Sequence, residues 1–197
     1  MFIRNIAFFG YSDTKQNSRL HKQAFDTAKI LAQKGYVIVN GGGPGVMYAS
    51  TQGADAGGGE TISVTFSPKD APGFEGRYLK NTTDKEIKTS NYIERMFKLL
   101  EHGDTYIIFK GGTGTLSEFA TTWCLARLYF GYHKPFILYG NFWKDIIACL
   151  KKNLILRGNE DKLFQIVNSP KGVLQAIDRF EKDFAHRLGR LDFDKKK

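Results

Sequence analysis

The sequence predicts an α/β fold of three layers, a mostly parallel sheet covered by helices on both faces, and three observations predict it. Strand-like and helix-like segments alternate along all 197 residues. The strand candidates are short continuous apolar runs such as Tyr106 to Phe109 and Pro135 to Tyr139, the pattern of strands buried on both faces. Two glycine-rich turns each follow a strand and open a helix. Together these describe a Rossmann-like arrangement, in which ligands bind outside the carboxyl ends of the strands.

The elements follow in order. Ile3 to Phe9 reads as a strand, Arg19 to Gln33 as a helix and Tyr36 to Asn40 as a second strand, which makes a βαβ unit. Leu20, Ala24, Ala28 and Leu31 recur at spacings of three and four, an apolar stripe to lay on the sheet, and Gly35 stops the helix. A Gly-rich turn at 41–45, a helix to about Ala56 and a strand at Thr61 to Phe66 come next, then a long polar connection over 67–85. Lys88 to His102 reads as a helix, Thr105 to Phe109 as a strand, Gly111 to Gly114 as the second Gly-rich turn and Leu116 to Phe130 as a long helix. Pro135 to Tyr139, Asn141 to Asn153, Phe164 to Val167 and Pro170 to Phe184 complete the alternation, the last helix carrying Pro in its first turn. One domain is expected over residues 1–185, followed by a basic tail at 186–197.

Composition narrows the function. With 42% apolar and aromatic residues the chain can bury a sizeable core without metals or disulfides, and no apolar run reaches the roughly 20 residues needed to span a bilayer. The first residues lead straight into a strand without the pattern of a secretory leader, so a cytoplasmic location is expected. Cys124 and Cys149 match no zinc or redox spacing and are expected to be small buried hydrophobes. The net charge of +9 is uneven: residues 1–40 carry six Lys and Arg against two acids, residues 141–197 carry thirteen against eight, and residues 41–140 carry ten of each. The Gly-rich middle is therefore balanced. Lys195, Lys196 and Lys197 read as a solvated tail, and a nucleic-acid role ranks behind a small-molecule one.

The chemistry is expected at the two turns, where backbone amides at a helix N-terminus can cradle an anion. Gly41-Gly42-Gly43-Pro44-Gly45 is followed by no Lys-Ser or Lys-Thr pair at Walker spacing, and Val46 stands where a dinucleotide fingerprint would need its third glycine. A tight packing turn explains it as well as a phosphate loop. In the second turn, Gly111-Gly112-Thr113-Gly114-Thr115, the hydroxyls of Thr113 and Thr115 can join the amides on phosphate oxygens. Three residues on stands Glu118, and spacing alone favours a capping box, with Thr115 as N-cap, over catalysis.

These residues resemble the lonely-guy (LOG, "lysine decarboxylase-like") family, whose hallmark PGGxGTxxE follows an arginine on the preceding helix and an earlier GGGxxGxM turn. Gly111, Gly112, Gly114, Thr115 and Glu118 match the hallmark, Arg95 lies 15 residues before Lys110, and Gly41, Gly42, Gly43 and Gly45 match the earlier turn with one glycine displaced. The resemblance covers roughly residues 3–155. It implies a homodimer with a nucleoside 5′-monophosphate as ligand and hydrolysis of the N-glycosidic bond, releasing free base and ribose 5-phosphate. Glu118 and Arg95 would be catalytic, and Gly41, Gly42, Gly43, Gly45, Gly111, Gly112, Thr113, Gly114 and Thr115 would hold the nucleotide. The aromatic-rich segment Trp123 to Tyr132 could serve as the dimer face. A cation near Glu118 would lower its pKa and suit it to stabilise the sugar cation or activate water, which leaves protonation of the base unassigned. No metal or cofactor is expected, and no pyridoxal-binding lysine motif is present. The same fold and phosphate turn also serve non-catalytic nucleotide and molybdenum-cofactor carriers. Lys110 in place of the family's Pro, Met96 in place of the Lys that follows the arginine, and the bulky Tyr11 in the first loop are the departures.

Overall fold

The computed structural model describes residues 2–66, 77–130, 132–158 and 160–194, with side chains as far as Arg187. Most of the expected connection over 67–85, together with the three terminal lysines, lies outside the described residues. Seven strands form one parallel sheet: β1 (Asn5–Phe9), β2 (Val37–Asn40), β3 (Thr61–Phe66), β4 (Lys85–Thr89), β5 (Thr105–Ile108), β6 (Phe136–Tyr139) and β7 (Phe164–Val167). Their spatial order is β4-β3-β2-β1-β5-β6-β7. The chain winds outward from β1 to β4 and then returns to the other side of β1, so the order reverses between β1 and β5. A crevice opens at the carboxyl ends of those two strands, the place where such sheets bind ligands.

Pleating divides the core. Ile6 and Phe8 of β1 face one side with α1 (Arg19–Ala32), α2 (Val46–Gly57) and α6 (Pro170–Asp194), while Ala7 and Phe9 face the other with α3 (Tyr92–His102), α4 (Thr113–Leu128) and α5 (Phe142–Asn153). This is the three-layer α/β architecture expected from the alternation. Ala24, Ala28 and Leu31 of α1 are fully buried, as their spacing predicts. Close passage of α1 over α2 requires Gly53, where a Cβ would overlap the Phe25 carbonyl.

Four elements differ from expectation. β4 was not expected and runs from the last residue of the polar connection, Lys85, into the expected helix: its sequence Lys-Glu-Ile-Lys-Thr places only Ile87 in the core layer, because it is an edge strand paired on one side to β3. The residues at 88–91 that read as helix therefore finish β4 and supply the cap of α3, Asn91, whose Oδ1 accepts from Glu94 N at 2.9 Å. α4 begins at Thr113 with Gly112 as N-cap, not at Leu116. Helix α6 continues past Phe184 to Asp194. Both cysteines are exposed, contrary to expectation, because Cys124 and Cys149 lie on the solvent sides of α4 and α5 while Phe119, Trp123 and Ala126 or Trp143 and Ile147 face the sheet. No helix among the described residues is long and apolar enough to cross a membrane.

Candidate functional site

Three loops close around the crevice, stitched by backbone bonds. Tyr11 N donates to the Lys110 carbonyl at 3.1 Å and Val46 N donates to the Tyr11 carbonyl at 3.0 Å, so the loop after β1 ties the second glycine turn to the start of α2. The cleft between them has a volume of about 300 Å³. Phe8 to Ser12 form one wall, Gly41, Met47, Tyr92 and Arg95 another, and Gly112 to Thr115 with Glu118 the third. The expected residues Gly41, Arg95, Gly112, Thr113, Gly114, Thr115 and Glu118 thus meet in one place.

The start of α4 is built to receive an anion. Leu116 N closes the first turn on the Gly112 carbonyl at 3.0 Å, and among the described residues the N–H groups of Thr113, Gly114 and Thr115 have no protein acceptor. All three amides point out of a sixteen-residue helix at its positive end. Gly111 is not among the residues that line the cleft: it must be glycine because a Cβ there would overlap the Thr115 hydroxyl. Lys110 also points elsewhere, its Nζ lying 5.7 Å over the ring of Phe142.

Gly42, Gly43 and Gly45 are not brought to the cleft. Their turn is committed to structure: Gly42 N donates to Asn40 Oδ1 at 2.8 Å, the Gly42 carbonyl accepts from Tyr78 N at 3.0 Å, and the Gly43 carbonyl accepts from Asn81 Nδ2 at 2.8 Å. Gly45, at φ +65°, presses against the Tyr11 and Ser12 carbonyls, a contact no side chain would permit. Gly41 alone reaches the cleft, and it does so as a seat for Arg95. The Arg95 guanidinium donates through Nε to the Val64 carbonyl and through Nη2 to the Gly41 carbonyl, both at 3.0 Å, and lies 5.9 Å over the ring of Phe66. Arg95 is buried, which pulls its pKa down, while Glu118 and Tyr92 pull it up.

Thr115 does not cap α4, because it lies inside the first turn, and Glu118 is released from the capping role its spacing allowed. Glu118 as a whole is partly exposed but its carboxyl is turned inward, and among the described residues that carboxyl has no hydrogen-bond partner and no cation within 4.0 Å. Arg95 acts on it only at longer range. Desolvation therefore outweighs the arginine, and the Glu118 pKa is pushed up to about 8, opposite to the direction expected from a neighbouring cation. At neutral pH the resting carboxyl holds a proton. Since the same carboxyl titrates near 4.5 when solvated, the folded chain binds the extra proton between pH 4.5 and about 8, and stability falls as pH rises through that window. Glu118→Gln removes this dependence, which paired urea titrations of wild type and variant at pH 5 and pH 8.5 will show.

Two cleft residues carried no signal in the sequence. Tyr92 belongs to the first turn of α3, and its position one turn before Arg95 becomes meaningful only once β4 sets where that helix starts. Ser12 follows Tyr11 on the loop after β1. Met96, which stands where the resemblance places a lysine, is buried between α3 and α4, with Ser117 Oγ at 3.4 Å from its sulfur.

Comparison with known proteins identifies the family and the fold. The SLOG cluster4 family matches residues 3–169. An uncharacterized protein of Archaeoglobus fulgidus is 32% identical over 120 residues, 61% of this chain and 74% of that one. Among solved structures, TM1055, a structural-genomics target, superposes with a TM-score of 0.67 at 24% identity over 90% of this chain and 99% of its own. The molybdenum cofactor binding protein of the phototrophic bacterium Rippkaea orientalis superposes with a TM-score of 0.64 at 24% identity, over 90% of this chain and 97% of its own. At that identity the likeness to both structures is one of fold. With a match that runs from before β1 to just beyond β7, the chain belongs to the SLOG cluster4 family, of the LOG-like, Rossmann-like group.

Proposed function

We propose that this protein is a nucleoside 5′-monophosphate phosphoribohydrolase, which breaks the N-glycosidic bond to give free base and ribose 5-phosphate. The observation that carries this reading is the Glu118 carboxyl, without a hydrogen-bond partner among the described residues, in the same cleft as the amides of α4. Those amides, with the Thr113 and Thr115 hydroxyls, hold the 5′-phosphate and so fix where the sugar lies. Arg95 braces the cleft by tying β3 and the first glycine turn to α3.

A single carboxyl then suffices for the proton transfers. The protonated Glu118 gives its proton to a ring nitrogen of the leaving base as the C1′–N bond breaks, and the bonding electron pair leaves with the base. The carboxylate so formed faces the oxocarbenium-like sugar and stabilises it. Water attacks C1′ and yields its proton to Glu118, which is restored to its starting state. Protonation of the base, unassigned from the sequence, thereby falls to Glu118, and no second acid is required. The test is chromatographic detection of free base and ribose 5-phosphate after incubation with AMP, GMP, CMP, UMP and an N6-substituted AMP.

A second reading is a non-catalytic nucleotide or molybdenum-cofactor carrier, favoured by the presence of only one carboxyl among the described residues that line the cleft. Binding of these nucleotides without release of base by the wild type would select it.

The same proposal includes a homodimer. Leu116, Ala120, Cys124 and Leu128 follow one another at four-residue spacing along the exposed side of α4, with Leu116 54% and Leu128 71% exposed. Trp123 forms the floor behind that face: it is buried, and its Nε1 donates to the Glu160 carbonyl at 3.0 Å. Sedimentation velocity is expected to show a dimer for wild type and a monomer for Leu128→Glu. A monomeric wild type would remove this part of the proposal.

A further inference from the structure

We infer that Tyr92 is a phosphate-recognition residue: its hydroxyl, held over the first turn of α4, supplies a side-chain donor to the anion and biases the cleft toward phosphorylated over unphosphorylated ligands. The inference rests on the reading of the α4 terminus as the place of the phosphate.

Placement begins in the backbone. Asn91 caps α3, and Glu94 reaches back to accept from Ser90 N at 2.8 Å, a reciprocal cap that fixes the first turn of the helix. Tyr92 is the first residue of that turn. Its ring packs edge-on against Phe66, with centroids 6.2 Å apart, and Phe66 in turn carries the Arg95 guanidinium on its face. The phenol is thus held from behind by the same aromatic that seats Arg95.

Its hydroxyl comes to rest at the anion end of the cleft. Beyond the helix's own backbone and the flanking residues, the described atom nearest to a Cβ built on Gly114 is the Tyr92 hydroxyl oxygen, at 3.8 Å, so the phenol stands beside the turn that presents the amides. Its hydrogen bond to Ser117 Oγ is 3.4 Å long, at the weak limit for O–H···O. An anion accepting from the α4 amides offers that hydroxyl a better, charge-assisted acceptor at little cost. Glycine at position 114 keeps the space between phenol and turn open.

The experiment compares wild type and Tyr92→Phe, which keeps the ring and its packing, using two probes: inorganic phosphate and free adenine, each titrated calorimetrically. Loss of a hydrogen bond to a charged group is expected to weaken phosphate about tenfold, with adenine affinity unchanged. Equal phosphate affinity in the two proteins, no phosphate binding by the wild type, or equal loss of both probes would each overturn the inference, the last by marking the hydroxyl as a general structural element. The hydrolase reading is decided separately by release of base: a Tyr92-dependent phosphate site without release leaves this inference standing and removes that reading.

Discussion

Glu118→Gln is expected to lower kcat for base release by about 10²–10⁴, with the fold intact and nucleotide binding little changed. The variant keeps the shape of the side chain and loses its proton, so it isolates the proton from the space the carboxyl fills. Because the group is pushed up to about 8, the proposed mechanism also fixes the direction of the pH profile. If Glu118 must deliver a proton to the leaving base, kcat/KM is highest below pH 8 and falls as pH rises through about 8. If it worked only as a base or as a charged stabiliser, the rate would rise through the same value. A profile that climbs across pH 8 would discard the acid role even if the variant is inactive. Rate measurements with AMP between pH 6 and pH 9.5 separate the two, and the flat profile expected for any residual activity of Glu118→Gln assigns the titration to this residue.

That direction was not legible in the sequence. Arg95 and Glu118 could be named as partners from their places relative to the second glycine turn, and a neighbouring cation lowers a carboxylate pKa. The structure shows the arginine spent on two backbone carbonyls, with the carboxyl left to desolvation. Sequence spacing reports that two groups share a cleft; it does not report which acceptor a guanidinium takes. The parallel sheet and the α4 turn were legible because apolar runs and glycine clusters carry their own signals. Strand β4 was not, since an edge strand with one inward residue has neither alternation nor an apolar run. The same blindness moved the start of α3 and hid Tyr92. The first glycine turn had equal claims as a packing device or a phosphate loop, and its bonds to Asn40, Tyr78 and Asn81 are those of packing. The cysteines were misjudged because a helix that is apolar on more than one side leaves small residues facing out, and composition does not say which side meets the sheet.

Gly41 and Arg95 are expected to behave as one unit. The φ of Gly41 lies outside the left-handed region, so an alanine there is penalised by space alone. That space is taken: a Cβ would overlap Arg95 Nη2 and crowd the Met47 sulfur. Gly41→Ala therefore expels the guanidinium and strips the Val64 and Gly41 carbonyls of their donors, at a cost of about 2–5 kcal/mol. Arg95→Ala strips the same two carbonyls and should cost about as much. Once the arginine is gone, however, the extra methyl at position 41 has room, and the double variant should be no less stable than the worse of the two singles. Urea unfolding of all four proteins measures this as a coupling of about 2 kcal/mol or more. Costs that simply add would mean that Gly41 and Arg95 serve stability by separate routes. Non-additivity would establish that the first glycine turn exists to seat the arginine, which is why a glycine whose backbone needs no special freedom stands at position 41.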